Sequence, residues 1–189
     1  MMGSVVLGRT VTFQPSGDPP GAWAFLLDDE VLAEVEWSDG GVRVDAADEV
    51  ARLDVSGMFM VRAVLAPVTA DRPGLWYAGN LWRGLAVCRE GRGFTLVRGL
   101  DGGIGPWTGF DDAEGNPVVR IRGRVGRGGF WDEITVTPDL LYARSAGPLL
   151  VLWGALRLLR VARPWVFFTS GIASERAVQR AIERMAGRA

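Results

Sequence analysis

One stretch of this 189-residue chain decides its fold: Gly-Pro-Leu-Leu-Val-Leu-Trp-Gly-Ala-Leu-Arg-Leu-Leu-Arg-Val-Ala-Arg-Pro, residues 147–164. Wound into a helix, this stretch is apolar on almost every side. Pro148 suits the first helical turn, because the N–H that proline lacks has no helical partner there. Pro164 cannot continue a helix, so the segment is bounded at both ends.

The predicted helix is too short to cross a membrane. Residues 149–163 would measure about 22 Å, whereas the hydrocarbon core of a bilayer is roughly 30 Å thick. Arg157 and Arg160 shorten the apolar part further. A helix that is hydrophobic on every side has to be surrounded on every side. We therefore expect the large side chains of this helix to be buried, namely Leu150, Val151, Leu152, Trp153, Leu156 and Leu159. The small residues Gly154 and Ala155 are expected to let strand backbones approach closely.

The sequence before this helix reads as a series of short β-strands. Between about residues 5 and 137, apolar and polar residues alternate in short runs separated by Gly, Pro and Asp turns. The clearest runs are 22–27, 31–37, 42–44, 58–65, 84–89, 93–98, 117–125 and 133–137, and longer loops are expected at 66–74 and 99–105. Such a spacing is typical of an antiparallel barrel or sandwich. Because the helix needs to be surrounded, we predict a mainly β fold, an antiparallel β-barrel that encloses it.

The C-terminal residues form a separate part of the prediction. The barrel and its central helix, at about 148–163, account for residues 1–169, and the aromatic segment 164–169 is expected to pack as a short strand or cover. Residues 170–189 predict an amphipathic helix on the outside of the domain, with Ser174 as N-cap and Gly187 as C-cap. The alternative is that this helix binds a partner or a membrane surface.

The composition removes much of the common catalytic chemistry. His is absent and all 21 basic residues are Arg, which excludes Ser-His-Asp triads, His-ligated zinc and lysine Schiff bases. The single cysteine, Cys88, has the apolar neighbours of a buried side chain. Since no cofactor fingerprint or metal-ligand cluster is present, we expect a protein that is not an enzyme and uses neither cofactor nor metal. A hydrolase with two carboxylates about 5–10 Å apart is the remaining catalytic alternative.

Charge and the N-terminal residues indicate the kind of partner and compartment. The formal net charge is −1 at pH 7, so no overall field attracts nucleic acid, and we expect no nucleic-acid partner. The N-terminus lacks the basic and apolar regions of a signal peptide. We expect a cytoplasmic protein, or one held at the membrane surface, and the sequence leaves its oligomeric state open.

A row of arginines is the best candidate for a binding site. Arg120, Arg122 and Arg124 occupy alternate positions of one predicted strand and so share one face, and Arg127 follows near its end. Guanidinium groups on a rigid strand suit a phosphate or lipid headgroup, because each can donate two parallel hydrogen bonds. The alternative is a solvated outer face paired with acidic neighbours. The acidic runs at 28–30 and 111–116 are predicted hairpin turns rather than metal sites.

Three segments carry a resemblance to a known fold. They are the hairpin at 93–98, the acidic turn at 111–116 with the strand 118–121 after it, and the apolar helix at 149–163. Together they resemble the tubby C-terminal-like fold of the tubby, LURP-one-related and phospholipid scramblase families, which includes uncharacterised bacterial members. The resemblance implies a twelve-stranded barrel around the helix over about residues 5–168. It also implies members that bind phosphoinositides and others with a proposed role in lipid scrambling.

These observations lead to a functional expectation. We predict a non-catalytic binding module that recognises an anionic phospholipid or another phosphate-bearing ligand through Arg120, Arg122, Arg124 and Arg127. The alternative is a protein–protein adaptor that uses the helix at 170–189 and leaves the arginines solvated. A hydrolase that uses only Asp and Glu ranks third.

Overall fold

The structure is a computed structural model that describes residues 4–16, 21–38, 41–46, 49–56, 61–67, 74–80, 83–101, 105–126 and 129–162, with Arg180 and Glu183. Arg127 and the predicted cover at 164–169 lie outside these residues. Of the amphipathic helix predicted at 170–189, Arg180 and Glu183 are described, and both are helical and exposed. The packing of that segment on the domain stays a prediction.

Twelve strands form a closed antiparallel barrel in the described part of the chain. They are β1 Thr10–Pro15, β2 Trp23–Leu27, β3 Glu30–Ser38, β4 Gly41–Ala46, β5 Glu49–Ser56, β6 Val61–Pro67, β7 Leu75–Gly79, β8 Gly84–Cys88, β9 Gly93–Asp101, β10 Gly105–Asp111, β11 Pro117–Gly126 and β12 Gly129–Val136. Each strand pairs with its neighbours in sequence, and β1 pairs with β12 to close the ring. The predicted antiparallel β-barrel is confirmed.

The alternation of side chains turns one face of each strand toward the barrel interior. In β6, for example, Val61, Ala63 and Leu65 are buried and Arg62 is exposed. Successive side chains of a strand point to opposite faces, so the period-two pattern of the sequence specifies the inward set. The inward side chains of all twelve strands join into a single hydrophobic core.

The predicted loop at 99–105 is partly wrong. Strand β9 continues to Asp101 and β10 begins at Gly105, so the two strands pair up to Asp101 and Gly105. The glycines of this region suggested a loop, but backbone hydrogen bonds to a neighbouring strand do not require a side chain. Long-range pairing therefore overrides the local glycine signal here.

Helix α1, Ala146–Ala162, lies in the interior of the barrel. Residues 146–156, three full turns, are all buried, as are Leu158 and Leu159. The helix backbone comes closest to β3 and β11, so it packs toward one side of the interior. All six side chains predicted to be buried are buried, and Pro148 lies in the first turn as expected.

Gly154 makes room for aromatic rings rather than for strand backbones. A Cβ atom at Gly154 would lie 3.0 Å from Cζ of Phe25 and 3.2 Å from Cζ of Phe13. These two rings are stacked, with centroids 4.3 Å apart. The expectation that Gly154 lets backbones approach is therefore wrong in this detail, because inward-facing phenylalanines of β1 and β2 occupy the space.

The helix runs from one end of the barrel to the other. We call the end with the β9–β10 and β11–β12 connections the mouth, and the end with the β10–β11 turn the floor. A short 3₁₀ helix, Leu140–Tyr142, lies at the floor and leads into α1. The last turns of α1 consequently reach the mouth. Among the described residues, no helix combines the length and the apolar character needed to cross a bilayer.

A hydrogen-bonded turn ties the floor to the start of α1. The carboxylate of Asp112 accepts hydrogen bonds from the Tyr142 hydroxyl at 2.6 Å and from the backbone N–H of Asn116 at 2.7 Å and Glu114 at 3.0 Å. The bond from Tyr142 is the main cause that lowers the pKa of Asp112 to about 2. The acidic run at 111–116 therefore contains a structural carboxylate.

Enclosure of the helix predicts a severe effect of charge at its centre. Leu152 is fully buried, and an unpaired carboxylate there costs several kcal/mol of folding free energy, of the order of the net stability of a domain. We expect Leu152→Asp to abolish soluble expression, whereas the isosteric control Leu152→Met is expressed. A purified Leu152→Asp variant that melts like the wild type would contradict the enclosed position of α1.

The Asp112 turn predicts a pH-dependent contribution to stability. Because the folded pKa is lowered below the ordinary value of about 3.9, the stabilisation is present above that value and disappears as pH falls toward about 2. We expect Asp112→Asn to melt below the wild type at pH 7 and the difference to shrink at low pH, as measured by circular dichroism. The exposed Asp29→Asn is the control. A difference that is constant over this pH range would contradict the assignment.

Candidate anion-binding site at the barrel mouth

A cavity of about 310 Å³ opens at the mouth, between the last turns of α1 and the inner faces of β9 to β12. Its charged lining residues are Arg98, Asp132, Arg157 and Arg160, and its apolar ones include Pro106, Ile121, Phe130 and Trp153. Three guanidinium groups and one carboxylate therefore face a common space in the described lining. The cavity has the composition of a site for a small anion.

The local sequence explains how each arginine reaches the cavity. Arg98 follows the buried Phe94 and Leu96 on the inward face of β9, one step closer to the mouth. Arg157 and Arg160 are three residues apart in α1, and residues at this spacing lie side by side on a helix. The mouth is where the end of an inward strand face and the end of the enclosed helix meet.

Asp132 holds Arg157 in place. Its carboxylate Oδ2 accepts hydrogen bonds from Trp153 Nε1 at 3.0 Å and from Arg157 Nε at 3.2 Å. The Asp132 side chain is 3% exposed and that of Arg157 is 16% exposed. Burial raises the pKa of Asp132, while Arg157 and Trp153 oppose the shift. This carboxylate is thus engaged by the protein itself.

Aromatic rings complete the surroundings of Arg157. Its guanidinium lies 4.5 Å from the centroid of the Phe130 ring and 5.4 Å from that of Trp23. The absence of a side chain at Gly123 makes room for Phe130, because a Cβ atom there would lie 2.7 Å from Phe130 Cζ. With ring contacts and a carboxylate around it, Arg157 is held in one orientation.

Both burial and neighbouring arginines disfavour the charge of Arg160 in the folded protein. Partial burial is the main cause that lowers its pKa to about 10, and Arg157 and Arg98 lower it as well. Its position in the last turn of α1 also suits the partial negative charge of a helix C-terminus. An anion bound between the three arginines would lower the electrostatic repulsion among them.

The arginine row predicted from the sequence lies on the outside of the barrel and has acidic neighbours. Arg120 Nη1 lies 2.5 Å from Asp111 Oδ1, and its guanidinium is 4.3 Å from the centroid of the Trp107 ring. Arg124 makes a two-pronged contact with Glu133, at 3.0 and 3.3 Å. This contact raises the pKa of Arg124. Arg120 and Arg124 therefore each have a carboxylate partner on an adjoining strand.

Arg122 completes the described part of that row. It lies between Arg120 and Arg124 and is directly opposite Glu133 in the β11–β12 register. Arg127, the fourth predicted site residue, lies outside the described residues. The row thus has three arginines and two carboxylates, and carries less net positive charge than the sequence alone indicates.

Other reactive groups have structural surroundings. Burial raises the pKa of the Cys88 thiol to about 12, which leaves it un-ionised at neutral pH. Asp28, in the first acidic run, pairs with Arg9. Within the described residues, no three Asp, Glu or Cys side chains are grouped so that they could hold a metal ion. The cavity lining contains Asp132 as its single carboxylate among these residues.

No protein-family model, curated protein or solved structure matches this chain. The class is therefore defined by the structure itself: a closed twelve-stranded barrel with a buried helix and a cationic cavity at one end. The tubby-like assignment stays a prediction.

The cavity was missed by the sequence analysis although signals for it exist. Arg157 and Arg160 interrupt an otherwise apolar helix at a spacing of three, and Arg98 continues the inward alternation of Phe94 and Leu96. Those patterns indicate charges at the end of a barrel. The strand order of the barrel brings these charges together, and local sequence patterns do not specify that order.

The burial of the Arg160 charge, together with repulsion from Arg157 and Arg98, predicts a gain in stability when this charge is removed. The lowered pKa means that the unfolded chain holds this proton more tightly, so the folded state is penalised at every pH below about 10. We expect Arg160→Gln to melt a few degrees above the wild type at pH 7 without multivalent anions, since about 1 kcal/mol shifts Tm by roughly 2–4 °C at this length. Arg144 is exposed and lies between the 3₁₀ helix and α1 at the floor, so the control variant Arg144→Gln should not change Tm. A lower Tm for Arg160→Gln would show that the arginine is purely structural.

Proposed function

We propose that this protein is a non-catalytic binding module that takes a phosphate-bearing anion into the cavity at the barrel mouth. The observation that carries the proposal is the convergence of Arg98, Arg157 and Arg160 on one cavity, whose single described carboxylate, Asp132, is already bonded to Arg157 and Trp153. The phosphate group is the shared chemistry of two sources, a soluble phosphate ester and a lipid headgroup.

The geometry favours phosphate over a larger ligand. Guanidinium groups match the oxygens of phosphate by paired hydrogen bonds, and three of them suit a doubly charged group. A volume of about 310 Å³ is at the low end of small-molecule sites. Since Asp132 and Phe130 hold Arg157 in place, little side-chain entropy is lost when the anion binds.

The outer row of Arg120, Arg122 and Arg124 is the second candidate for the same chemistry. Its ion pairs with Asp111 and Glu133 weaken it as a primary site, because an incoming anion has to compete with them. We therefore place the site in the cavity and treat the row as a matched comparison. The predictions of an adaptor role for 170–189 and of a cytoplasmic location stand beside this proposal.

Binding of glycerol phosphate tests the proposal. By calorimetry at low salt, we expect the wild type to bind and Arg98→Gln and Arg160→Gln each to bind at least tenfold more weakly, because each loses a charged hydrogen-bond donor. Arg144→Gln is the charge-matched control, and binding should weaken as salt is added.

Two results would overturn the cavity as the site. One is a wild type that does not bind glycerol phosphate. The other is an affinity that falls in the Arg120→Gln, Arg122→Gln, Arg124→Gln triple variant but not in the cavity variants, which would assign the ligand to the outer row.

A further inference from the structure

Exposed apolar side chains surround the cavity at the mouth. Leu100 and Val125 are each 80% exposed, and Phe130 is 39% exposed. Leu100 pairs with the exposed Pro106 across β9 and β10, and Val125 pairs with Phe130 across β11 and β12. We call Leu100, Pro106, Val125 and Phe130 the apolar rim. The rim and the cavity belong to the same four strands.

Leu100 and Val125 lie on the strand faces that point into the barrel interior. Leu100 continues the inward face of Phe94 and Leu96, and Val125 continues that of Val119 and Ile121. At these positions the strands extend past the interior, so inward-facing residues meet solvent. Because these positions are exposed, the barrel core does not require an apolar side chain at them, yet both residues are large and apolar. Grouped exposed apolar side chains of this kind mark interaction surfaces.

The floor offers a comparison within the same molecule. Leu140 is 79% exposed and Val31 is 54% exposed, so the floor also presents apolar side chains. Its neighbouring turns, however, carry the acidic runs 28–30 and 111–116 and Asp139. The floor also carries Arg9, Arg92 and Arg144, so its apolar side chains lie beside charges of both signs. The apolar side chains of the mouth lie beside the three arginines of the cavity.

We propose that the mouth docks on a membrane that contains anionic phospholipid, with the rim entering the interface and the headgroup phosphate entering the cavity. This inference rests on the proposed function and names the lipid as the source of the phosphate. A soluble phosphate ester would leave the rim in water. A lipid surface removes it from water while its negative charge matches the arginines.

Sedimentation with vesicles tests the rim separately from the cavity. The probes are vesicles of phosphatidylcholine with and without phosphatidic acid. We expect the wild type to bind only the vesicles with phosphatidic acid. The mouth variant Leu100→Asn with Val125→Asn should bind them at least tenfold more weakly while its affinity for glycerol phosphate stays unchanged. The floor variant Leu140→Asn with Val31→Asn is the matched control and should behave as the wild type.

A fluorescent label gives a second measurement that does not depend on loss of binding. Because Cys88 is buried, a cysteine introduced by Leu100→Cys or Leu140→Cys is the accessible thiol for an environment-sensitive fluorophore. These two positions have nearly equal exposure, 80% and 79%. We expect fluorescence at position 100 to rise with phosphatidic acid vesicles and fluorescence at position 140 to stay constant.

The outcomes separate this inference from the proposed function. Wild-type affinity for glycerol phosphate without vesicle binding overturns the inference and keeps the function. Unchanged vesicle binding by the mouth variant, or equal fluorescence changes at both labels, overturns it as well. A wild type that binds neither probe overturns both proposals. Equal binding to vesicles with and without phosphatidic acid overturns the role of the cavity in docking.

Discussion

The absence of a polar face on α1 is the constraint on which the rest of the structure depends. Over three turns the helix consists of apolar residues on every side, so it has to be enclosed. A helix with its side chains is about 10 Å across, and an eight-stranded barrel is already filled by its own inward side chains. Twelve strands give a wider ring that holds the helix together with inward rings such as Phe13 and Phe25. Closure also removes the unpaired edges that an open sheet of this size would expose.

At the mouth the helix is no longer fully enclosed, and the candidate site lies there. Arg157 and Arg160 can be charged because the last turns of α1 approach the end of the barrel. Asp132 then has two roles, since it satisfies the Trp153 indole N–H and neutralises part of the charge of Arg157. The result is a polar cluster on a rigid apolar support. Its arginines are positioned by a helix and a strand rather than by loops, which favours a site formed before its ligand arrives.

The fold could be predicted from the sequence to a large extent, and the site could be predicted only in part. Hydrophobicity on every side of 149–162 and the period-two runs were sufficient for a barrel around a helix, because both are local patterns. The strand pairing of Asp101 with Gly105 was not predictable locally, since glycines also suit loops. The arginine row was found from its spacing, but its partners Asp111 and Glu133 come from neighbouring strands. The approach of Arg98 to Arg157 and Arg160 depends on the strand order of the barrel in the same way.

The order of the elements along the chain has a consequence for how the protein reaches its native state. The ring closes by pairing Thr10 of β1 with Thr135 of β12, residues from opposite ends of the sheet, and the helix that fills the interior comes after all twelve strands. During synthesis on the ribosome, the strands therefore emerge before the element that covers their apolar faces. Pairing between successive strands is local, whereas ring closure and insertion of the helix are non-local contacts, which form slowly and leave hydrophobic surface exposed until they form. The nascent chain cannot complete its core until α1 has emerged. The apolar faces of its strands therefore have to be kept from aggregating during translation.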